Sequence, residues 1–246
     1  MIIIVGCSFS LGWYSWADND EIVNKDYCWY DELDRPYRAY AHPGGGLMSY
    51  CKCLDIVSNP APKNASAGQF QHGRTPPIEN ASAILIQETF SPRIIVHDQF
   101  EYRQHRENVY GWRLNHIFSN TIAGLPKVQN DVSEKYKFDW QSGMSSWMAD
   151  LNAKSDGWEY LNTACSSHLD RVAESTGLPV YSYSFTGKKY PYKYIKYLDV
   201  PPATQKLFWD DRYHHYNDKS DPLHFNKVGN KLLGKMIKKG LENELS

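Results

Sequence analysis

The chain lacks the marks of several large protein classes. Its five cysteines, Cys7, Cys28, Cys51, Cys53 and Cys165, form no Cys-x-x-Cys pair, and one would be left over if the rest bridged. Reduced thiols are therefore expected in place of a disulfide framework. No apolar run reaches membrane-spanning length, and no basic leader or cleavable apolar segment precedes the first run of isoleucines. This predicts a soluble, unprocessed, cytoplasmic protein with no membrane partner. A formal net charge of −1 gives no electrostatic reason to expect a nucleic-acid partner. The acidic stretch Asp18-Asn19-Asp20-Glu21 lacks the glycine and the spaced terminal glutamate of a calcium loop, and reads as exposed charge. His97, His105 and His116 have no carboxylate or cysteine at ligand spacing, so no metal site is expected. No internal repeat is visible.

With 246 residues the chain can bury a sizeable core, and one domain over 1–246 is expected. Three apolar runs punctuate it. Ile2 to Val5 is wholly β-branched and suits a strand buried on both faces. Ala83 to Ile86 reads as a central strand, and Leu178 to Tyr183 as the next. Between them, helices are predicted from near Leu47, over Trp158 to Thr176 with Gly177 as its stop, and from Asn230 onward. Leu11 to Trp16 can begin a further helix, and Trp29, Tyr30 and Leu33 recur at helical spacing as core contacts. Residues 59–80, rich in Pro, Ala, Ser, Asn and Gly, read as a long surface loop. Residues 94–150 are expected to form an insertion of helices and loops over one sheet edge, with Arg103, Arg106 and Arg113 among Tyr102, Tyr110 and Trp112 on either a binding surface or a solvated helix face. Lys188 to Tyr197 reads as surface, as do the lysines of the final helix. Strand, helix and strand in this order predict an α/β fold with a mainly parallel central sheet.

The residues that carry chemistry stand where such strands end. Gly6-Cys7-Ser8 closes the first run, which puts Ser8 just past a strand's carboxyl end, where open α/β sheets bind ligands. Its plainer role is a turn or helix-capping serine. Asp221-Pro222-Leu223-His224 precedes the last helix, and a carboxylate three residues before a histidine can orient the ring so that its other nitrogen faces a nucleophile. The plainer role there is a solvated loop. Asp211 precedes His214 at the same spacing and is a rival, set aside because the final-helix context belongs to His224. Pro43-Gly44-Gly45-Gly46 can bring backbone N–H groups to a ligand, or can simply be a flexible turn. It is not a phosphate loop, since no Gly-Lys-Ser/Thr follows.

Taken together, Gly6-Cys7-Ser8-Phe9 near the start and Asp221-Pro222-Leu223-His224 near the end resemble the first and last blocks of the SGNH (GDSL-like) hydrolase family, with Cys7 at the usual aspartate position. The resemblance implies a three-layer α/β/α sandwich, similar to flavodoxin, and a Ser8-His224-Asp221 triad acting without metal or cofactor. It implies oxyanion donors from the Ser8 backbone and from Gly44, with Gly45 second. The family's third block, Gly-x-Asn-Asp, should come after the central strand, but Gln87-Glu88-Thr89 stands there. Thr89 aligns with the family asparagine, and Gln87 carries an amide able to donate as well. The activity that the resemblance implies is that of a serine esterase acting on a small-molecule or carbohydrate ester, foremost an O-acetyl sugar. The alternatives are an acyltransferase and a non-catalytic binding or particle component. Short Gly-Cys-Ser-Phe versions are similar to proteins of phages and bacteria, which admits a virion-associated place.

Overall fold

Side chains alternate between the two faces of a strand, so an unbroken apolar run folds as a strand only where both faces are covered. The computed structural model describes residues 1–11, 13–17, 20–23, 27–42, 46–59, 77–88, 93–95, 100–106, 109–114, 117–120, 126–129, 157–203, 225 and 227–245. In chain order the elements are β1 (Ile2–Cys7), α1 (Ser8–Leu11), β2 (Trp13–Ala17), β3 (Asp20–Val23), a 3₁₀ turn (Trp29–Glu32), β4 (Tyr37–His42), α2 (Leu47–Ser58) and a second 3₁₀ turn (Pro77–Asn80). They continue with β5 (Ala83–Glu88), β6 (Arg93–Ile95), β7 (Phe100–Arg106), β8 (Val109–Leu114), β9 (Ile117–Asn120), β10 (Pro126–Gln129), α3 (Gly157–Ser175), β11 (Val180–Ser184), β12 (Ile195–Tyr197) and α4 (Lys227–Leu245).

Among the described residues the main sheet has seven strands in the order β12-β11-β5-β1-β4-β8-β7. Every neighbouring pair is parallel except the edge pair β7 and β8. The expected α/β fold with a mainly parallel sheet is therefore what the chain forms. β1 is buried along its whole length and divides its side chains between two cores. Ile2 and Ile4 join a cluster with Trp29, Phe185, Leu233, Ile237 and Leu241. Ile3 and Val5 join another with Leu47, Tyr50, Leu54, Leu169 and Ala173. One face of the sheet thus meets α4 and the 3₁₀ turn, and the other meets α2 and α3. α3 ends as expected at Gly177, where φ is 66°. Among the described residues no helix is long and apolar enough to cross a membrane.

Three expectations are corrected. Leu11 to Trp16 does not begin a helix: α1 closes at Leu11, and Trp13–Ala17 pairs antiparallel with β3. Aromatic residues favour a pleated strand over a helix when hydrophobic periodicity is weak. The described part of 94–150 is extended, not helical. β7 and β8 form an antiparallel pair that lengthens the main sheet, with Tyr102 opposite Trp112 and Gln104 opposite Tyr110, while β6, β9 and β10 make a separate three-stranded sheet. Arg103, Arg106 and Arg113 therefore lie on strands. The Lys188 to Tyr197 stretch is surface only in part, because Tyr190 and Ile195 are buried and β12 closes one edge of the sheet.

Candidate active site

Three adjacent parallel strands end together at one edge, and the first three predicted blocks lie at or next to those ends in the sequence. β1 sits between β4 and β5, with Cys7 opposite His42 and Val5 opposite Ile86. The chain leaves β1 directly into α1, of which Ser8 is the first residue. It leaves β4 at His42 toward the glycine loop, whose last residue, Gly46, donates its N–H to Ser49 Oγ at 3.0 Å as α2 begins. It leaves β5 after Glu88. Thus Ser8 and the glycine loop follow the carboxyl ends of β1 and β4, while Gln87 and Glu88 of the third block are the last two residues of the neighbouring β5. Gly44, Gly45, Thr89, Asp221 and His224 lie outside the described residues, as do Asp211 and His214.

Gln87 is described, and its side chain is wholly buried. Its Oε1 accepts from Ser10 Oγ at 3.1 Å and from Cys7 Sγ at 3.5 Å. With the oxygen occupied by these two donors, Nε2 points away from them, and it has no hydrogen-bond partner among the described residues. The packing that permits this depends on Gly6. A Cβ there would stand 2.2 Å from Ser10 Oγ and 3.2 Å from Gln87 Oε1, so only glycine lets α1 fold back onto the end of β1.

The far end of the chain reaches the same place through an aromatic group. Phe9, next to Ser8, packs on Phe225, next to His224, with ring centroids 5.5 Å apart. Phe185, just beyond β11, touches both rings at 4.4 Å and 5.6 Å. α4 fixes this entry: Asn230 Nδ2 donates to the Phe225 carbonyl at 2.9 Å. Cys28 Sγ donates to the Phe9 carbonyl at 3.2 Å and lies 3.9 Å from Asn230 Oδ1.

Sequence reasoning missed Glu88. Only 4% of this residue is exposed, on the α2 and α3 side of β5. Ser182 Oγ donates to its Oε1 at 2.6 Å, and Tyr197 OH donates to Oε2 at 3.0 Å. Tyr197 OH in turn accepts from the Tyr190 N–H at 2.9 Å. Tyr192 lies beside the same carboxyl, but its hydroxyl meets no acceptor at hydrogen-bond geometry among the described residues. Burial raises the Glu88 carboxyl to about 7, and the donated hydrogen bonds, which favour the charged form, hold it from rising further. The available signal was a glutamate two residues after the apolar run Ala83 to Ile86, in a strand end where only a paired or protonated carboxyl can be buried.

None of the five cysteines, all of them described, forms a disulfide. No group of three or more His, Cys, Asp or Glu side chains able to hold a metal occurs among the described residues. No family model matches the chain, and neither the curated proteins nor the solved structures give a match.

Proposed function

We propose that this chain is an SGNH-type serine esterase with a three-layer sandwich fold, in which Ser8, His224 and Asp221 form the triad. One observation carries the reading. The residues next in sequence to Ser8 and His224 pack ring against ring at the carboxyl edge of the central strand. Phe9 and Phe225 stand 216 positions apart in the sequence, and their contact beside the end of β1 supports pairing the two blocks at the edge where α/β sheets do their chemistry. In this reading His224 takes the hydroxyl proton as Ser8 Oγ bonds to the ester carbonyl carbon, and Asp221 holds the ring. The backbone N–H groups of Ser8 and Gly44 receive the carbonyl oxygen's charge, with Gly45 as second choice and Thr89 or Gln87 as candidates for a further donor. The ester C–O bond then breaks, the leaving oxygen takes the proton from His224, and water releases the acyl group by the same steps in reverse.

An O-acetyl carbohydrate is the substrate class we favour. Tyr160 is 80% exposed near the start of α3. Its neighbour Glu159 pairs at 2.8 Å with Lys188, which lies beyond the carboxyl end of β11. An open aromatic ring is thus presented on the same side of the sheet as the end of β1, suited to stack on a sugar face.

The complete burial of Gln87 favours a second reading. If neither Gln87 nor Thr89 offers a donor to substrate, the site is weakened by about 10²-fold or more, and the chain is a binding or particle component that kept the fold. Acyl transfer to an acceptor hydroxyl uses the same triad. The experiment is turnover of 4-nitrophenyl acetate together with labelling by a fluorophosphonate. The expected result is turnover and a label at Ser8, both abolished in a folded Ser8→Ala variant. Labelling without hydrolysis of esters points to the transferase. Folded protein with neither label nor turnover across short esters and acetylated sugars overturns the enzyme and leaves the binding reading.

A further inference from the structure

Resting on the esterase reading, we infer that Gln87 is a positioning residue for Ser8, acting through Ser10. α1 is a single turn of four residues, too short to hold its own geometry, since an isolated turn fixes many dihedrals for one hydrogen bond. Its placement must come from contacts to the sheet. Ser10 Oγ supplies such a contact by donating to Gln87 Oε1 at 3.1 Å, with both residues wholly buried and 77 positions apart in sequence. Cys7 Sγ, from the last residue of β1, donates to the same oxygen at 3.5 Å. One carboxamide oxygen therefore binds the residue before Ser8 and the residue two after it, and so brackets the position from both sides. Gly6 completes the joint, because any side chain there would enter the volume of Ser10 and Gln87.

The orientation of the amide is set by these donors. A buried polar side chain with its oxygen doubly engaged has little freedom to rotate, and the penalty for breaking the pair is large because both groups are sealed from water. The carboxamide thereby transmits the rigid position of β5 to the Ser8 turn. Displacing a nucleophile by about 1 Å can cost on the order of 10²-fold in rate, so this contact is expected to show in the rate of attack and to leave ground-state affinity almost unchanged.

The test is a double-mutant cycle on the full chain with Gln87→Met, Ser10→Ala and the double variant, reading the rate of fluorophosphonate labelling at Ser8 and the kcat and KM for 4-nitrophenyl acetate. Thermal melting confirms that each variant is folded. Each single substitution is expected to slow labelling and lower kcat by about 10- to 100-fold with little change in KM. The double variant should be no slower than the slower single, since the two residues act as one unit. Losses that multiply in the double variant would show that Gln87 acts independently of Ser10, for instance by donating Nε2 to the substrate oxygen, and would overturn the assignment. Singles that label as fast as the wild type overturn it too. Ser10→Ala removes only one hydroxyl oxygen and keeps the proposal open to refutation if Gln87→Met does not fold. A folded wild type that takes no label at Ser8 overturns the esterase reading and this role with it, whereas a wild type that labels with indifferent variants overturns the role of Gln87 alone.

Discussion

At the scale of single residues, Glu88 and Gln87 show opposite ways of burying a polar group at the end of one strand. Gln87 is neutral and holds a turn, while Glu88 must either ionise in a nearly dry site or keep its proton. Burial lifts its carboxyl to about 7, which fixes the sign of the effect on stability. The folded state holds the proton more tightly than the unfolded chain, so this group's contribution to stability is fully present below the ordinary carboxyl range and is lost as the pH rises toward neutrality. Wild-type stability should therefore fall between about pH 5 and about pH 8 by up to about 3 kcal/mol from this group alone. Glu88→Gln, which keeps an acceptor for Ser182 and Tyr197 without a charge, should flatten that dependence. Urea midpoints at the two pH values decide the matter, and parallel profiles for the two proteins would sink the assignment.

At the scale of elements, the close approach of α4 to the first 3₁₀ turn is set by a glycine. A Cβ on Gly234 would stand 2.1 Å from the Trp29 carbonyl oxygen and 2.9 Å from Glu32 Cβ, and a backbone oxygen in a 3₁₀ turn cannot swing away as a flexible side chain would. Gly234→Ala should cost about 1–3 kcal/mol from overpacking, more than the roughly 1 kcal/mol that alanine returns in helix propensity. A melting temperature at or above that of the wild type would show that α4 is not so tightly seated. The same elements show what a sequence reveals. β1, β5 and β11 are buried along their whole lengths, so β1 and the core of β5 read as apolar runs, and β11 as β-branched and aromatic residues set among serines. β4 is as central, with Ala39, Tyr40 and Ala41 fully buried, yet Tyr37-Arg38-Ala39-Tyr40-Ala41-His42 presents no apolar run and passes for a loop. The β7 and β8 pair is hidden for a related reason, since charged and aromatic residues alternate on an edge where one face can stay polar. For the site, the turn at Ser8 was legible from its place after a strand, whereas Gln87, read as following the apolar run, is the next-to-last residue of β5 itself. Glu88 was not, because a charge in a sequence reads as solvent-facing until the hydroxyls gathered around it are seen.

At the scale of the molecule, the central strand and the covering helix are the first and last elements described, and they share one core. β1 lies between β4 and β5, with Ile2 and Ile4 in the core that α4 closes with Leu233, Ile237 and Leu241. Each of those three side chains is almost wholly buried, worth about 1.5–3 kcal/mol apiece, or together roughly 5–9 kcal/mol. That is comparable with the whole stability of a typical domain, about 5–15 kcal/mol. A chain ending at residue 225 should consequently lose its folded core as a whole, because the exposed apolar face of β1 and Phe185 cannot be covered by what remains. The same logic makes Ile237→Asp severe, since it places an unpaired charge against that face. The expected observations are loss of near-ultraviolet circular dichroism and strong binding of a hydrophobic dye, with much of the far-ultraviolet signal kept. A truncated chain that retained a cooperative urea transition at a midpoint close to the full chain's would mean that the sheet is stable without α4. In that case the packing of Phe225 on Phe9 would be a consequence of the fold and not one of its supports.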